Sequence, residues 1–496
     1  MIIKKSLGGV KMEETITKEN RGKQALKSGV WYTISSISVK AILIITTPLF
    51  TRLMTTAEYG ASSTFTTWFT VLNVICSLNL WYSVGRAKLD FPGKLEEYVA
   101  SVMLLALLFC SILGGAAFLL LDQVTVWLEM DKALVIALII YLLAYPAVQL
   151  TQTKFKYQYN YKGNIWITIY TTVATTVLSL IFVLLIPSHR ALGKSLGAVV
   201  SSVLFAIGVW FFSFKRRYVK VKVEYWKYGL LISVPLILNS ISLNILAQSD
   251  RIFITKFCGA DFTGIYSLAY SYAILINIVL NAANEAWLPW FHDSLNDNLK
   301  DEIRKNVKPL IVFGCWFGVG CIAIAPEAIA LLGGSAYMKG IWVVPPVTVG
   351  VVCSYIFQHY EHIELHLKKT WYISFGTIMA AGINIVLNYI FVQRYGFVAA
   401  AYTTLFCYFV LMILHHFISR YVLKLHLYDD KFMYLSVLVT CILGAIFMGL
   451  YNKPWILRWI LISIISLGYL WINRETFFKI CNIKIYVKKK IKCRRR

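Results

Sequence analysis

Apolar residues fall into long runs along nearly the whole chain, and short polar segments separate them. Many runs reach the roughly 20 residues that a helix needs to cross the hydrocarbon core of a bilayer. The pattern predicts fourteen spans, at about 29–50, 61–82, 99–121, 133–152, 165–187, 195–214, 229–249, 264–291, 307–333, 341–360, 371–392, 397–418, 432–451 and 455–472. Helices are the default because every backbone donor and acceptor must be satisfied inside lipid. The short alternating segments of a membrane barrel are absent from the sequence. The expected fold class is an all-α polytopic membrane protein.

Composition agrees with the pattern. Of the 496 residues, 58% are hydrophobic and 15% are charged, against about 25% charged in soluble domains. The net charge of +25 first suggests a nucleic-acid partner. Its distribution argues against one. With the N-terminus inside, most Lys and Arg fall in the cytoplasmic segments and in the tail "KIYVKKKIKCRRR", as the positive-inside rule requires. Both termini are then cytoplasmic, and the tail reads as a topology and solubility element or an anionic-lipid contact. The ten cysteines show no C-x-x-C pair or metal-ligand spacing, so no disulfide framework is expected. The first apolar run is too long for the core of a signal peptide and should remain as a span. No loop exceeds about sixteen residues, which leaves no room for a soluble catalytic or nucleotide-binding domain. The phosphate-loop motif is absent as well. Neither an enzyme nor a cofactor is expected.

The chain also repeats itself. "TRLMTTAEYG" at 51–60 and "TKFCGADFTG" at 255–264 stand 204 residues apart, and so do Asn73 and Asn277, Lys40 and Asn244, and Arg190 and Arg394. Trp166 and Trp371 follow at 205. The offset spans six helices, an even number, so both halves enter the membrane in the same direction. That is a parallel repeat, an arrangement used by transporters that alternate access to a site between two bundles. The two decapeptides read as outer turns whose Gly starts the next helix. The domains follow as a cytoplasmic segment 1–28, an N-lobe 29–224, a C-lobe 225–428, two added helices 429–472 and a basic tail 473–496.

Polar residues inside spans should face protein or a wet cavity. Thr33, Ser36, Lys40 and Thr47 share one helical stripe, as do Thr66, Asn73 and Ser77. Ser233, Ser240 and Asn244 form a third stripe, Tyr270, Asn277, Asn281 and Asn284 a fourth, and Thr377, Asn384 and Asn388 a fifth. They line a cavity or glue helices together. Lys40 lies near the midplane, where a charge costs roughly 2.5 to 3.5 kcal/mol. It could bind an anionic substrate or pair with Glu285. Glu285 is also a candidate for ion coupling, or the partner of Arg86 at the same rim. Arg86 and Lys88 at the inner rim, and Arg52, Arg251 and Lys256 at the outer rim, are candidates for capturing an anionic head group; Asp250 reads as the neutraliser of Arg251. His359, His362 and His366 in "HYEHIELH" read as solvated interface residues, and no metal site is expected. Pro48 and Pro235 could kink their helices.

The stretches "SGVWYTISSISVKAILIITTPLFTRLMTTAEYG", "SDRIFITKFCGADFTGIYSLAY" and "NYIFVQRYGFVAAAYTTL" resemble the Wzx-type oligosaccharide flippases of the multidrug/oligosaccharidyl-lipid/polysaccharide exporter superfamily. The resemblance covers about residues 25–425. It implies a MATE-like two-lobe fold in the bacterial plasma membrane. It also implies movement of undecaprenyl-pyrophosphate-linked repeat units to the outer leaflet for O-antigen or capsule, beside a polysaccharide polymerase and other assembly proteins. Three other readings stay open: a MATE-like ion-coupled exporter of small molecules, a membrane-embedded glycosyltransferase or polymerase, and a non-transporting assembly scaffold.

Overall fold

The computed structural model describes residues 38–39, 41–42, 44–158, 160–216 and 218–472. Lys40, Thr33, Ser36, residues 1–28, half of the first expected span and the basic tail therefore lie outside the described residues. Every regular element described is helical. Among the described residues, ten helices are long and apolar enough to cross a membrane, or eleven if the bent pair Ser335–Trp342 and Val344–His366, at 48°, is one span. The sequence pattern predicts fourteen. Of the other three, the first lies half outside the described residues. The second is a helix rich in Ser and Thr, Thr56–Cys76, and the last, Trp455–Ile472, has only 18 residues.

The chain divides into two compact units, Met1–Gln248 and Ser249–Arg496. In the first, α1 (Thr56–Cys76) is followed by α2 (Trp81–Asp90), α3 (Leu95–Leu119), α4 (Leu121–Leu128), α5 (Lys132–Tyr157), α6 (Tyr161–Leu185), α7 (Arg190–Lys215) and α8 (Val223–Ser233). Helix α9 (Ile237–Cys258) carries the division between the units. The second unit continues with α10 (Ala260–Ala273), α11 (Ile276–Asn296), α12 (Lys300–Ala323), α13 (Ala325–Gly333), α14 (Val344–His366), α15 (Trp371–Tyr395), α16 (Phe397–Phe417), α17 (Asp430–Gly449) and α18 (Trp455–Ile472).

Two apolar clusters hold the first unit. Phe65 and Phe69 of α1 pack with Leu134, Val135 and Leu138 of α5, and Tyr141 stacks on Phe69 at 3.8 Å. Nearby, Tyr98 of α3 packs with Leu80, Val84 and Tyr225 and donates to Ser83 Oγ at 2.7 Å. The indole of Trp226 donates to the Ser101 carbonyl at 2.9 Å and ties α8 to α3. Between α1 and α2 the backbone turns through Leu78 (φ 53) and Asn79 (φ 57), a left-handed conformation that non-glycine residues seldom adopt. The Asn79 amide is fully buried and donates to Ser240 Oγ at 2.9 Å. In the second unit α14 is the central helix, buried along most of its length.

The decapeptides differ in detail from the sequence expectation. Helix α1 starts at Thr56, because Thr55 caps it in a reciprocal box with Glu58. Helix α10 starts at Ala260, after Gly259 turns the chain at φ 94. Gly60 and Gly264 each lie four residues inside their helix, so the helix starts are set by a cap and by a different glycine. Pro235 sits in a short 3-10 segment, Val234–Leu236, that joins α8 to α9.

Candidate functional site

The candidate residues from the sequence lie in several environments. In the first unit Asn73 is buried and donates to Gln149 Oε1 at 3.2 Å; Asn244 is half-buried and Arg52 is exposed. Arg86 is exposed and holds Asp90 at 2.9 Å, one turn along α2, while Lys88 donates to the Tyr157 carbonyl at 2.5 Å. In the second unit Asn277 is half-buried, whereas Asn281 and Glu285, one turn apart on α11, are both exposed. Asn284 is buried. It donates to Gln358 Oε1 at 2.6 Å and accepts from His362 Nε2 at 3.1 Å.

Asn384 belongs to a different assembly. Helices α9, α10, α15 and α16 bring Ser249, Asp250, Tyr266, Asn384, Asn388, Thr403 and Thr404 into one buried polar cluster. Asp250 is its centre and is fully buried. Asn388 donates to Asp250 Oδ1 at 2.7 Å. The Thr404 hydroxyl lies 3.1 Å from Oδ1 and 2.9 Å from Oδ2, and the Tyr266 hydroxyl donates to Oδ2. Around this centre Ser249 donates to Asn384 Oδ1 at 2.6 Å, and Asn388 reaches the same oxygen at 3.0 Å.

Such a cluster is a costly thing to bury. A carboxylate out of water must be neutralised, paired or coordinated. Here its direct partners are neutral hydroxyl and amide groups. The donor set is all oxygen apart from the amide nitrogens, which suits a proton or a hard cation rather than a transition metal. Among the described residues no group of three His, Cys, Asp or Glu side chains could hold a metal ion.

Arg251, expected at an outer rim, is only 7% exposed. Its Nε donates to Ser267 Oγ at 3.2 Å, and the guanidinium lies 4.7 Å from the centre of the Tyr270 ring. Consecutive side chains on a helix point in different directions, so Asp250 has hydrogen-bond partners of its own while the Arg251 charge still acts on it. The sequence reading of Asp250 as a simple neutraliser missed the cluster. The available signal was Asn384 and Asn388 one turn apart, followed by the adjacent Thr403 and Thr404.

The histidines also depart from the expectation of solvated interface residues. His359 is fully buried and bonds the Tyr355 carbonyl at 2.8 Å. His366 Nδ1 lies 2.9 Å from His292 Nδ1. The reason is the central place of α14, which buries polar residues that a single apolar-run boundary would leave outside. A separate apolar groove of about 760 Å³ in the same unit is lined by residues including Tyr402, Phe406, Phe409 and Leu438, with Lys431 on its wall.

Comparison with known proteins adds three findings. A family model described as "Polysaccharide biosynthesis protein" matches residues 25–295. "Lsg locus putative protein 1" of Haemophilus influenzae is 31% identical over 107 residues, which is 20% of this chain and 26% of that protein. The chain thus matches about a quarter of the length of that relative. Among solved structures, "Lipid II flippase MurJ, inward closed conformation" is similar with a TM-score of 0.69 at 12% identity, over 90% of this chain and 100% of that one. "Inward-facing conformation of a multidrug resistance MATE family transporter of the MOP superfamily" is similar with a TM-score of 0.55 at 12% identity, over 85% and 99%. At such identities the likeness shows the fold.

Proposed function

The chain belongs to the polysaccharide biosynthesis protein family, and from that premise we propose that it is a flippase for lipid-linked oligosaccharides. The family match carries this reading, and the fold shared with a lipid II flippase supports it. The proposed substrate is an undecaprenyl-pyrophosphate-linked repeat unit, moved to the outer leaflet of the bacterial plasma membrane by alternating access. The polymerase and assembly proteins that consume it are the proposed partners.

The substrate has an anionic, polar head and an apolar tail. In this reading Lys40 binds the pyrophosphate at mid-depth, where a cation is worth most in low dielectric. Asn73, Asn244, Asn277, Asn281, Asn284 and Asn384 are the proposed polar neighbours of the head along its route. Arg52, Arg86, Lys88 and Arg251 are the proposed sites of head-group capture, with burial the point against Arg251. The tail stays in lipid, and the apolar groove beside α16 and α17 offers it a surface. Coupling to a cation gradient falls to Asp250 rather than to the exposed Glu285, because only the buried carboxylate gains strongly from a bound cation.

The test is a flipping assay in proteoliposomes with a pyrophosphate-linked oligosaccharide. The expected result is translocation that Lys40→Gln abolishes while the protein still inserts. The second reading, an exporter of small molecules, is favoured by the fold shared with a MATE transporter. Drug efflux without oligosaccharide flipping would establish that reading and overturn the first.

A further inference from the structure

The second unit holds another buried acidic group that the proposed transport cycle does not use. It lies where α14 and α16 pack together, near their C-terminal ends. His415 of α16 is fully buried, and each of its ring nitrogens faces a carboxylate oxygen of α14. Nδ1 lies 2.7 Å from Glu364 Oε1, with both side chains 0% exposed. Nε2 lies 3.5 Å from Glu361 Oε1, whose side chain is 20% exposed. The imidazole is wedged in place. Phe357 stacks on it at 5.6 Å, and a Cβ added at Gly376 of α15 would come 3.1 Å from Nε2.

The charge count of this group is unusual for a buried site. The Nδ1 contact with Glu364 is a hydrogen bond, whereas Nε2 is buried without a hydrogen-bond partner and faces Glu361 at ion-pair distance, the arrangement of a doubly protonated ring between two acids. Two carboxylates and one imidazolium still leave one negative charge in excess. Among the described residues no Lys or Arg pairs with either glutamate. The neighbouring charges are engaged elsewhere. His416 turns to Asp430 at 3.2 Å and to the Tyr434 hydroxyl at 2.7 Å, and Arg420 pairs with Asp430. Helix α15 presents the Gly376 backbone at this point. Glu364 Oε2 is buried without a partner, so the remaining negative charge has an open position at which a proton can neutralise it. An unpaired buried charge is the costly alternative.

We propose that His415, Glu361 and Glu364 form a proton-binding site, separate from the cluster around Asp250. Two protons beyond the single N–H of a neutral imidazole, shared among the three groups, make the site neutral. Loss of one, from Glu364 Oε2 or from the shared imidazole positions, leaves it with a single negative charge. Thr404 and His415 are eleven residues apart on α16, about 17 Å along the helix axis. Direct proton exchange between the two sites is therefore excluded. Helix α16 carries one titratable assembly near each end.

The experiment is infrared difference spectroscopy of the full chain in lipid, titrated with no substrate present. A protonated-carboxyl band should be present at low pH and disappear as the pH is raised. Glu364→Gln should remove the band. Glu361→Gln and His415→Gln should each move its midpoint by about one pH unit or more. Asp250→Asn should leave it unchanged. No titrating carboxyl band in the wild type would overturn the proposal. So would a band unchanged in Glu364→Gln, or one lost only in Asp250→Asn. If Glu364→Gln does not fold, Glu361→Gln decides the matter, and an unmoved midpoint there overturns the site. No step in this measurement depends on the transported molecule, so its failure is separable from failure of the flippase reading.

Discussion

Helices α6 and α7 of the first unit and α15 and α16 of the second stand at the same places in the order of spans, yet they pack by opposite means. In the first pair, Gly193 and Gly197 let the backbones touch. A Cβ at Gly197 would lie 2.1 Å from Ser179 Oγ and 2.4 Å from its backbone nitrogen, and one at Gly193 would lie 2.7 Å from the Phe182 carbonyl oxygen. Ser179 Oγ then donates to the Lys194 carbonyl at 2.7 Å across the contact. This is the small-xxx-small packing that membrane helices use in place of a hydrophobic drive. The second pair instead encloses Asn384, Asn388, Thr403 and Thr404 with Asp250. One pair gains close contact, and the other gives up apolar packing to hold a charge. The difference is a close backbone contact in the first unit and a buried polar cluster in the second.

The comparison can be broken from either side. Gly197→Leu should have the largest effect, since no rotamer avoids Ser179; overpacking of this kind costs about 3 kcal/mol or more. Loss of folded protein in a denaturant titration is the expected outcome, and near-normal stability would show that the contact is loose. Asp250→Asn should leave the melting temperature almost unchanged but reduce cation-dependent flipping about tenfold or more, the scale of a typical coupling free energy. Equal flipping with and without a cation gradient in the wild type would remove the ion role from the second pair. Thr404→Val, which keeps shape but removes a hydroxyl from both Asp250 oxygens, should weaken the same cation dependence by a smaller factor. Ser179→Ala should be the mildest, about 0.6 kcal/mol for one interhelical hydrogen bond in a membrane protein, read by the same denaturant titration.

Helix type and most span positions were legible in the sequence, because apolar runs of bilayer length leave the backbone few choices. The duplication was legible in outline, but a single offset does not describe it. Helices α1 and α10 begin at Thr56 and Ala260, 204 residues apart. Helices α6 and α15 begin at Tyr161 and Trp371 and end at Leu185 and Tyr395, 210 apart. Trp166 therefore lies inside α6 and does not open it. The Asn–Gln bonds drift as well: Asn73 meets Gln149 in the first unit, while Asn284, not Asn277, meets Gln358 in the second. Insertions in loops shift register without changing the fold, and sequence offset alone cannot follow them.

The polar sites were less legible for a different reason. Asp250 meets Asn388 and Thr404 across 138 and 154 residues of chain, and His415 meets Glu364 across 51. A stripe on one helix identifies a polar face but not the partner that satisfies it. Adjacency told part of the story for Asp250 and Arg251: their charges act on each other, while the hydrogen bonds described for each go to separate partners.

The turn between α1 and α2 also bears on how the protein is made. The buried amide of Asn79 waits for Ser240, which follows it by 161 residues. At roughly 5–20 residues per second of synthesis, that partner emerges about 8–32 s later. During that interval a left-handed, polar kink sits in a newly inserted helix with nothing of its own chain to bond. Until Ser240 arrives, water or another molecule has to satisfy that amide, so closure of this turn is a late step in the assembly of the first unit.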